Sequence, residues 1–177
     1  MSARSLVVAA SAILALAACA SKPPTAATSP GAGGGAPSVR ADDSPFGETG
    51  RPVPLALQQE FAQTAGDRVY FGFDSHDLSP EARETLNRQA YWLSLHAQVR
   101  VLVAGNCDER GTRQYNFALG SRRAAAARGF LIEHGVAADR IRTVSYGRER
   151  PLDPTSNEGA WARNRNAQTI LIDLGPA

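Results

Sequence analysis

The sequence predicts a domain of the α+β (α/β) class, with a mixed four-stranded sheet covered by helices and preceded by a disordered tether. Three observations support this class. Runs of β-branched and aromatic residues alternate with longer runs whose apolar residues recur at helical spacing. Their order, β-α-β-α-β-(α)-β, is typical of helices packed against a sheet. The first part of the chain has neither pattern and is rich in proline and small residues.

Residues 1–18 have the features of a bacterial export signal. Arg4 provides a positive charge, and Leu6–Ala17 is an apolar run of 12 residues, shorter than the ~20 residues of a membrane-spanning helix. The run closes at Leu16–Cys19, which resembles a lipobox, where the leader is removed before a cysteine that then receives lipid. We therefore expect lipidation of Cys19. An ordinary cleavage site beside a coincidental cysteine is the alternative.

Residues 19–54 are predicted to be a lipid-anchored, disordered linker, and residues 55–177 the folded domain. The linker is rich in Pro, Gly, Ala, Ser and Thr, and such a segment cannot bury enough apolar surface to offset the entropy lost on folding. Fully extended, it could reach roughly 110 Å, at ~3.3 Å per residue. If Cys19 carries lipid, Cys107 has no partner for a disulfide, so the domain must be stabilised by its core.

The first strand and the first helix are predicted close together in the folded part. Val69–Phe73 is β-branched and aromatic, which favours a strand. Ser79 and Pro80 are typical of a helix start, because serine caps a free amide and proline has no amide that would need a partner there. The helix continues with apolar residues at helical spacing, namely Ala82, Leu86, Ala90 and Leu93.

The second strand and the second helix enclose a polar loop. Val99–Ala104 is continuous enough in apolar residues to be a buried strand, and the loop Gly105–Thr112 follows it. A long helix is predicted over about Arg113–His134, and Gly135 suits the left-handed position that ends many helices.

The last predicted elements are a strand over about Ile141–Tyr146, a short helix around Trp161 and a fourth strand over Thr169–Leu174. Trp92 and Trp161 are interpreted as core residues rather than as platforms for stacking sugars.

Charge and residue types exclude some functions. The formal net charge is only +2, which gives no strong attraction to nucleic acid, so no nucleic-acid partner is expected. A catalytic interpretation would use Cys107 as nucleophile and His76, His96 or His134 as its base, within hydrogen-bond distance. We expect instead that Cys107 packs under the loop and that the domain is not an enzyme. No cofactor or metal is expected, because these residues lack the spacing of zinc ligands.

The segment Gly105–Thr112 is the most informative part of the sequence, because it lies where a buried strand passes into a helix. The first amides of that helix favour an anion at this place. Asp108 can accept hydrogen bonds from an ammonium group, and Arg123, about two to three turns into the helix, can bind a carboxylate with its forked donors. Together they predict a receptor for a zwitterion, with Asn116 as a cap or as a bridge between loop and ligand.

An internal ion pair that holds the loop to the helix is the alternative for Asp108 and Arg123. The residue types do not decide between the two. Both can hold at once, because the amine and the carboxylate of a ligand could insert into such a pair.

Several motifs follow one another along the folded part: Tyr70–Asp74, Cys107–Asn116, Leu119–Ala124, Gly135–Val136, Arg140–Ile141, Ser145–Gly147, Pro151 and Asn164–Arg165. In these motifs, over about residues 67–174, the chain resembles the peptidoglycan-associated lipoprotein family, whose folded part is an OmpA-like C-terminal domain. The resemblance implies a periplasm-facing domain, held at the outer membrane by lipid on Cys19, that binds peptidoglycan non-covalently.

The resemblance also implies which residues bind the wall. The ligand would be the diaminopimelate residue of the peptidoglycan stem peptide. By position, Asp108 would bind its free amine and Arg123 its carboxylate. Asn116 and Asp74 would complete the pocket, and Arg165 would lie at its rim.

A protein partner is implied as well. Members of the family bind TolB through an overlapping face, which here includes Glu109 and Arg110. As part of the Tol-Pal system they link the outer membrane to the wall, and they support envelope integrity and outer-membrane constriction at cell division.

Two positions depart from the family pattern. Asn106 stands where the family usually has histidine, which alters a contact under the loop. Asn166 stands where the family has a second arginine, so a guanidinium is missing and anion contacts would be weakened, although Asp108 and Arg123 are both kept. These departures leave open an alternative, in which the domain has lost wall binding and serves only as a protein-docking module.

Overall fold

The computed structural model describes residues 52–174. The export signal, the lipidated cysteine and nearly all of the predicted linker lie outside the described residues. The elements are α1 (Leu55–Thr64), β1 (Arg68–Tyr70), α2 (Pro80–Leu95), β2 (Val99–Asn106), α3 (Arg113–Glu133), a 3₁₀ turn (Ala138–Arg140), β3 (Ile141–Gly147), α4 (Glu158–Asn164) and β4 (Asn166–Leu174). No helix in residues 52–174 combines the length and the apolar character that crossing a membrane requires.

The sheet contains four strands in the order β1-β4-β2-β3. Strands β2 and β3 are parallel, whereas β4 runs antiparallel to both of its neighbours. Val101 lies at the centre of the sheet, opposite Leu171 of β4 on one side and Ile141 of β3 on the other. The predicted mixed four-stranded sheet with helices is confirmed.

The core lies between one face of the sheet and helices α2 and α3. Val101 and Val103 of β2 are fully buried in one cluster with Leu93 of α2 and Leu131 of α3. Arg100 and Leu102, which alternate with these valines, are only half-buried. One face of β2 therefore faces the helices, as the alternation of side chains along a strand requires.

Local side-chain chemistry sets the ends of the two long helices. The hydroxyl oxygen of Ser79 accepts a hydrogen bond from the Ala82 amide at 3.2 Å, with Pro80 in the first helical position, as predicted. Thr112 caps α3 in the same way. Gly135 has the left-handed φ of +93° expected after α3, and the next amide, that of Val136, donates back into the last turn.

Helix α1 was not predicted. Its aromatic residue Phe61 packs edge-on against Trp92 of α2, with 5.0 Å between the ring centroids. The indole Nε1 of Trp92 donates to the Glu60 carboxylate at 3.0 Å. Trp92 is buried, as the sequence interpretation expected, and it attaches α1 to the rest of the domain.

Strand β1 ends earlier than predicted, at Tyr70 instead of Phe73. The main-chain carbonyls that follow it accept hydrogen bonds from arginine side chains. Arg165 Nε donates to the Phe71 carbonyl at 3.2 Å, and Arg123 Nη2 donates to the Gly72 carbonyl at 3.1 Å. The segment after Tyr70 therefore forms a wall beside the sheet edge.

Two glycines allow α3 to approach β2 closely. A Cβ atom at Gly105 would lie 1.9 Å from the carbonyl oxygen of Gly120, and one at Gly120 would lie 2.9 Å from the carbonyl oxygen of Gly105. Any side chain at Gly105 would force the two elements apart. This contact holds the end of β2 and the first turns of α3 side by side, with the polar loop between them.

Candidate ligand-binding site

A cavity of about 150 Å³ lies where β2 passes into α3. Its walls come from the segment after β1, the loop after β2, the first turns of α3 and the junction between α4 and β4. All five residues that the sequence assigns to wall binding line it, namely Asp74, Asp108, Asn116, Arg123 and Arg165. Residues from distant parts of the chain thus meet at one place.

Asp108 is a buried carboxylate with several donors. Arg110 binds it with its side chain, at 2.7 Å from Nη2 to Oδ2, and with its amide, at 3.1 Å to Oδ1. Arg165 Nη1 lies 3.3 Å from Oδ2. Burial alone would raise the pKa of Asp108, but the hydrogen bonds from Arg110 and Arg165 outweigh it and hold the pKa below its usual range. The carboxylate is therefore ionised at neutral pH.

Arg123 is a fully buried cation held by main-chain carbonyls. Its Nε donates to Ser75 at 2.8 Å, its Nη1 to Asn106 at 2.9 Å and its Nη2 to Gly72 at 3.1 Å. Within residues 52–174, no carboxylate forms a salt bridge with it. Burial lowers the pKa of Arg123, yet a guanidinium remains charged in proteins. The cavity therefore has a positive charge at its base that no carboxylate of the described residues contacts directly, although the charge of Asp108 acts on it from across the cavity.

The internal ion pair considered for Asp108 and Arg123 is not formed. The carboxylate of Asp108 binds Arg110 and Arg165 instead. Asp108 and Arg123 nevertheless line the same cavity. One therefore presents a negative group and the other a positive group to the same space.

Asp74 and Asn116 also line the cavity. Asp74 has a left-handed backbone, with φ of +53°, and accepts a hydrogen bond from the Tyr115 hydroxyl. Asn116 Nδ2 donates to the main-chain carbonyl of Arg110 at 2.7 Å. Asn116 therefore ties the loop to α3, and its predicted contact with a ligand stays a prediction.

Arg165 lies deeper than the rim position that the family resemblance implied. It is buried, and its Nη1 contacts both Asp108 and the Glu158 carboxylate, the latter at 3.1 Å. Its Nε donates to the carbonyl of Phe71. These contacts hold Arg165 beneath the loop, at the residue before β4 begins.

The two departures from the family pattern contact each other. Asn106 Nδ2 donates to Asn166 Oδ1 at 3.0 Å, and both side chains are buried. The Nδ2 of Asn166 donates to the main chain of Arg163 at 2.7 Å. Neither asparagine lines the cavity. The expected weakening of anion contacts at Asn166 therefore stays a prediction.

The guanidinium of Arg110 packs against two aromatic rings, an arrangement that the sequence did not predict and that we call the clamp. Its central carbon lies 4.3 Å from the ring centroid of Phe73 and 4.3 Å from that of Trp161. Trp161 is half-buried, so its interpretation as a core residue is wrong. Its indole Nε1 donates to Glu109 at 3.0 Å. No sequence pattern indicates the clamp, because its three parts come from three separate segments.

Cys107 is buried under the loop, and its thiol donates to the carbonyl of Asn116 at 3.3 Å. Burial raises the pKa of this thiol, which makes it a poor nucleophile. None of the three histidines, all of which are in the described part, lines the cavity. Among residues 52–174 no cluster of histidine, cysteine and acidic residues has the geometry of a metal site.

Known proteins are similar in sequence to this chain over most of its folded part. The sequence profile of the OmpA family matches residues 70–165. The peptidoglycan-associated lipoprotein of Mesorhizobium japonicum is 49% identical over 117 residues, which are 66% of this chain and 70% of the relative. That of Rhizobium meliloti is 41% identical over 164 residues, 92% of this chain and 84% of the relative.

A solved structure shares the fold. The crystal structure of the peptidoglycan-associated lipoprotein from Burkholderia pseudomallei has a TM-score of 0.59 and 38% sequence identity. The match covers 62% of this chain and 94% of that one. The similarity therefore extends over nearly the whole of the other domain.

Proposed function

The chain belongs to the OmpA family, and on that premise we propose that it is an outer-membrane lipoprotein whose folded domain binds peptidoglycan non-covalently. Lipid on Cys19 would hold it in the outer membrane, and the domain would reach the wall from the periplasmic side. Its relatives are non-enzymatic structural proteins, and the chain is not an enzyme.

The observation that carries this proposal is the buried guanidinium of Arg123. A buried cation is costly unless an anion or a full set of acceptors compensates it. Main-chain carbonyls take three of its hydrogen bonds, and a guanidinium has further N–H donors beyond these. Each of its nitrogens already has one acceptor, so a ligand carboxylate would bind the remaining N–H groups and supply an anion in direct contact.

The second half of the ligand follows from Asp108, which is ionised and lines the same small cavity. A group with an ammonium and a carboxylate on one carbon would match Asp108 and Arg123 together. The free end of diaminopimelate in the stem peptide has this pair of groups, whereas the side chain of lysine ends in an amine alone. We therefore assign the cavity to the diaminopimelate end.

Co-sedimentation with purified sacculi tests the proposal. The chain without its leader should pellet with sacculi whose stem peptides contain diaminopimelate, and free meso-diaminopimelic acid should release it. Sacculi with lysine in the same position should leave it in the supernatant. A chain that ignores this difference, or never pellets, contradicts the assignment.

The membrane part of the proposal has its own test. Cys19→Ser should yield an unprocessed or mislocalised protein, because no thiol remains to receive lipid. Cell fractionation followed by detection of the chain measures this. Recovery of the variant in the outer-membrane fraction would count against the lipid anchor.

We propose a second role on the overlapping face, which is docking of TolB and other components of the Tol-Pal system, with support of envelope integrity and of constriction at division. Glu109 is exposed, and its carboxylate is oriented by Trp161 beside the cavity mouth. Arg110 lies next to it. Loss of TolB capture in Glu109→Ala, with sacculus binding kept, is the expected result. Retained capture would remove Glu109 from this interface.

A further inference from the structure

Resting on the proposed wall-binding function, we infer that Arg110 is an internal substitute for the ammonium group of the ligand. The guanidinium of Arg110 is bound to the Asp108 carboxylate, and the ligand must displace this guanidinium in order to bind. Arg110 thereby determines which ligands enter the cavity.

The contacts of Asp108 support this inference. Its two carboxylate oxygens already accept hydrogen bonds from the Arg110 amide, the Arg110 side chain and the Arg165 side chain. A charge-assisted, forked contact of this kind is among the strong hydrogen bonds in proteins. An ammonium group that arrives at Asp108 therefore competes with a cation that is already there.

The size of the cavity points the same way. Its volume of about 150 Å³ is small beside the ~300–1,000 Å³ of sites for drug-sized ligands, so it has room for the end of a side chain at most. Arg123, at its base, has no exposed surface, so a ligand cannot reach its guanidinium in this arrangement. The structure therefore shows the cavity in a closed state.

Of the two cations on Asp108, Arg110 is the one that can leave. Its side chain is 32% exposed, whereas that of Arg165 is 9% exposed and also binds the main chain of Phe71. Arg110 is two residues from Asp108 in the loop, so its departure requires only side-chain rotation. Displacement of Arg165 would break its hydrogen bonds to the Phe71 carbonyl and the Glu158 carboxylate.

A second carboxylate is placed to receive the displaced guanidinium. Arg110 Nη1 lies 3.6 Å from Glu158 Oε2, and the Glu158 side chain is 66% exposed. The rings of Phe73 and Trp161 can stay against the guanidinium as it turns towards Glu158. The charge of Arg110 is therefore compensated in the closed state and after opening.

This exchange gives the site its selectivity. A simple amine can only replace one cation by another at Asp108. A zwitterionic end gains the contact with Arg123 in addition, which a simple amine lacks. The closed state should therefore exclude amines that have no adjacent carboxylate.

The test compares the unchanged chain with Arg110→Gln by titration calorimetry, using free meso-diaminopimelic acid and 1,5-diaminopentane as probes. If the cavity is open in about one molecule in ten, apparent affinity is reduced about tenfold. Arg110→Gln should therefore bind diaminopimelic acid about tenfold more tightly, and it should gain measurable binding of 1,5-diaminopentane. Arg113→Gln is the matched control, because Arg113 is exposed, pairs with Glu149 outside the cavity and should leave both affinities unchanged.

Each result decides the inference. Unchanged or weaker binding of diaminopimelic acid by Arg110→Gln overturns the displacement role and leaves the proposed wall-binding function standing. Failure of the unchanged chain to bind diaminopimelic acid overturns both. If circular dichroism shows that Arg110→Gln is unfolded, Arg110→Lys decides instead. Lysine keeps the charge but loses the fork and the planar stacking, so about threefold tighter binding is expected, and no tightening refutes the inference.

Discussion

Arg123 joins three parts of the chain through hydrogen bonds to Gly72, Ser75 and Asn106. Its positive charge lacks a carboxylate partner within residues 52–174. The same side chain thus stabilises the fold and presents a charge to a ligand. The two effects can be separated by substitutions that keep or remove the charge.

Arg123→Ala should both destabilise the domain and abolish sacculus binding. It leaves main-chain carbonyls buried without donors, at about 1–3 kcal/mol for each unsatisfied group, so a loss of about 3 kcal/mol or more is expected. Arg123→Lys keeps the charge and part of the hydrogen bonding, and should lose about 1–2 kcal/mol. Urea unfolding measures both variants.

The effect of these substitutions on sacculus binding should differ from their effect on stability. Lysine cannot form the forked contact with a carboxylate, so Arg123→Lys should bind sacculi much more weakly than its small loss of stability would suggest. A folded Arg123→Lys variant that pellets with sacculi like the unchanged chain would show that Arg123 is only structural.

Asp108→Asn should change how stability depends on pH. The folded-state pKa of Asp108 is depressed, because donors from Arg110 and Arg165 outweigh the effect of burial. The stability from its charge is therefore present above the unfolded pKa of ~3.9 and is lost as the pH falls through the folded value. Asp108→Asn should be less stable than the unchanged chain at pH 7, and the difference should shrink below about pH 4.

Urea titrations at several pH values measure this difference. Asp74→Asn is a useful comparison, because Asp74 lines the same cavity but contacts Tyr115 instead of an arginine. A difference between Asp108→Asn and the unchanged chain that stays constant down to pH 2 would contradict the cause given for the lowered pKa.

The ends of helices that depend on local chemistry are predictable from the sequence. Ser79 and Pro80 start α2, and Gly135 ends α3, because each depends only on its own backbone and a few neighbours. Helix α1 was missed, because it is short and its stability comes from Phe61 packing against Trp92, far away in sequence. The end of β1 was misplaced for a similar reason, since distant arginines take the carbonyls after it.

The candidate site was predictable only in part. Asp108, Asn116 and Arg123 share one loop and one helix, so their meeting could be expected from spacing. The clamp around Arg110 could not be predicted from spacing, because its rings and its arginine come together only through the strand order β1-β4-β2-β3. The same order places Arg165 beneath the loop instead of at the rim.

Gly105→Ala should destabilise the domain and the cavity together. The new methyl group would meet the carbonyl oxygen of Gly120 at 1.9 Å, so α3 must move away from β2. Overpacking of this kind costs about 1–3 kcal/mol, occasionally more, and a main-chain obstacle favours the upper end. The shift would also move Asn116 and Arg123, so sacculus binding should fall.

Gly129→Ala is the matched control on the same helix. Apart from its chain neighbours and the backbone of its own helix turns, no atom of the described residues lies within 4 Å of a Cβ built at Gly129. Alanine favours the helix by about 0.8–1.0 kcal/mol over glycine, so this variant should be equally or more stable and should bind normally. Thermal unfolding and co-sedimentation measure both variants. Equal behaviour of the two would show that the contact between Gly105 and Gly120 does not matter.

At the scale of the whole molecule, the proposed function needs two attachments at once, one through lipid and one through the wall. The cavity and the core account only for the attachment to the wall. The predicted linker, outside the described residues, must span the distance between them, and the folded domain begins soon afterwards with α1. Linker length, rather than linker sequence, should therefore limit the function of the chain in cells.

Deletion of residues 24–50 tests this directly. Cys19 and the folded domain remain, so lipidation and binding to isolated sacculi should be unchanged. About 110 Å of maximal reach would fall to less than about 30 Å at ~3.3 Å per residue, so the lipid and the wall could no longer be held together. The outer membrane should then leak periplasmic proteins, which is also the result expected for cells that lack the chain. A Gly-Ser segment of the original length should restore integrity, because flexible chains of equal length have similar reach. Failure of that segment to restore integrity, with lipidation intact, would mean that the native linker makes specific contacts of its own.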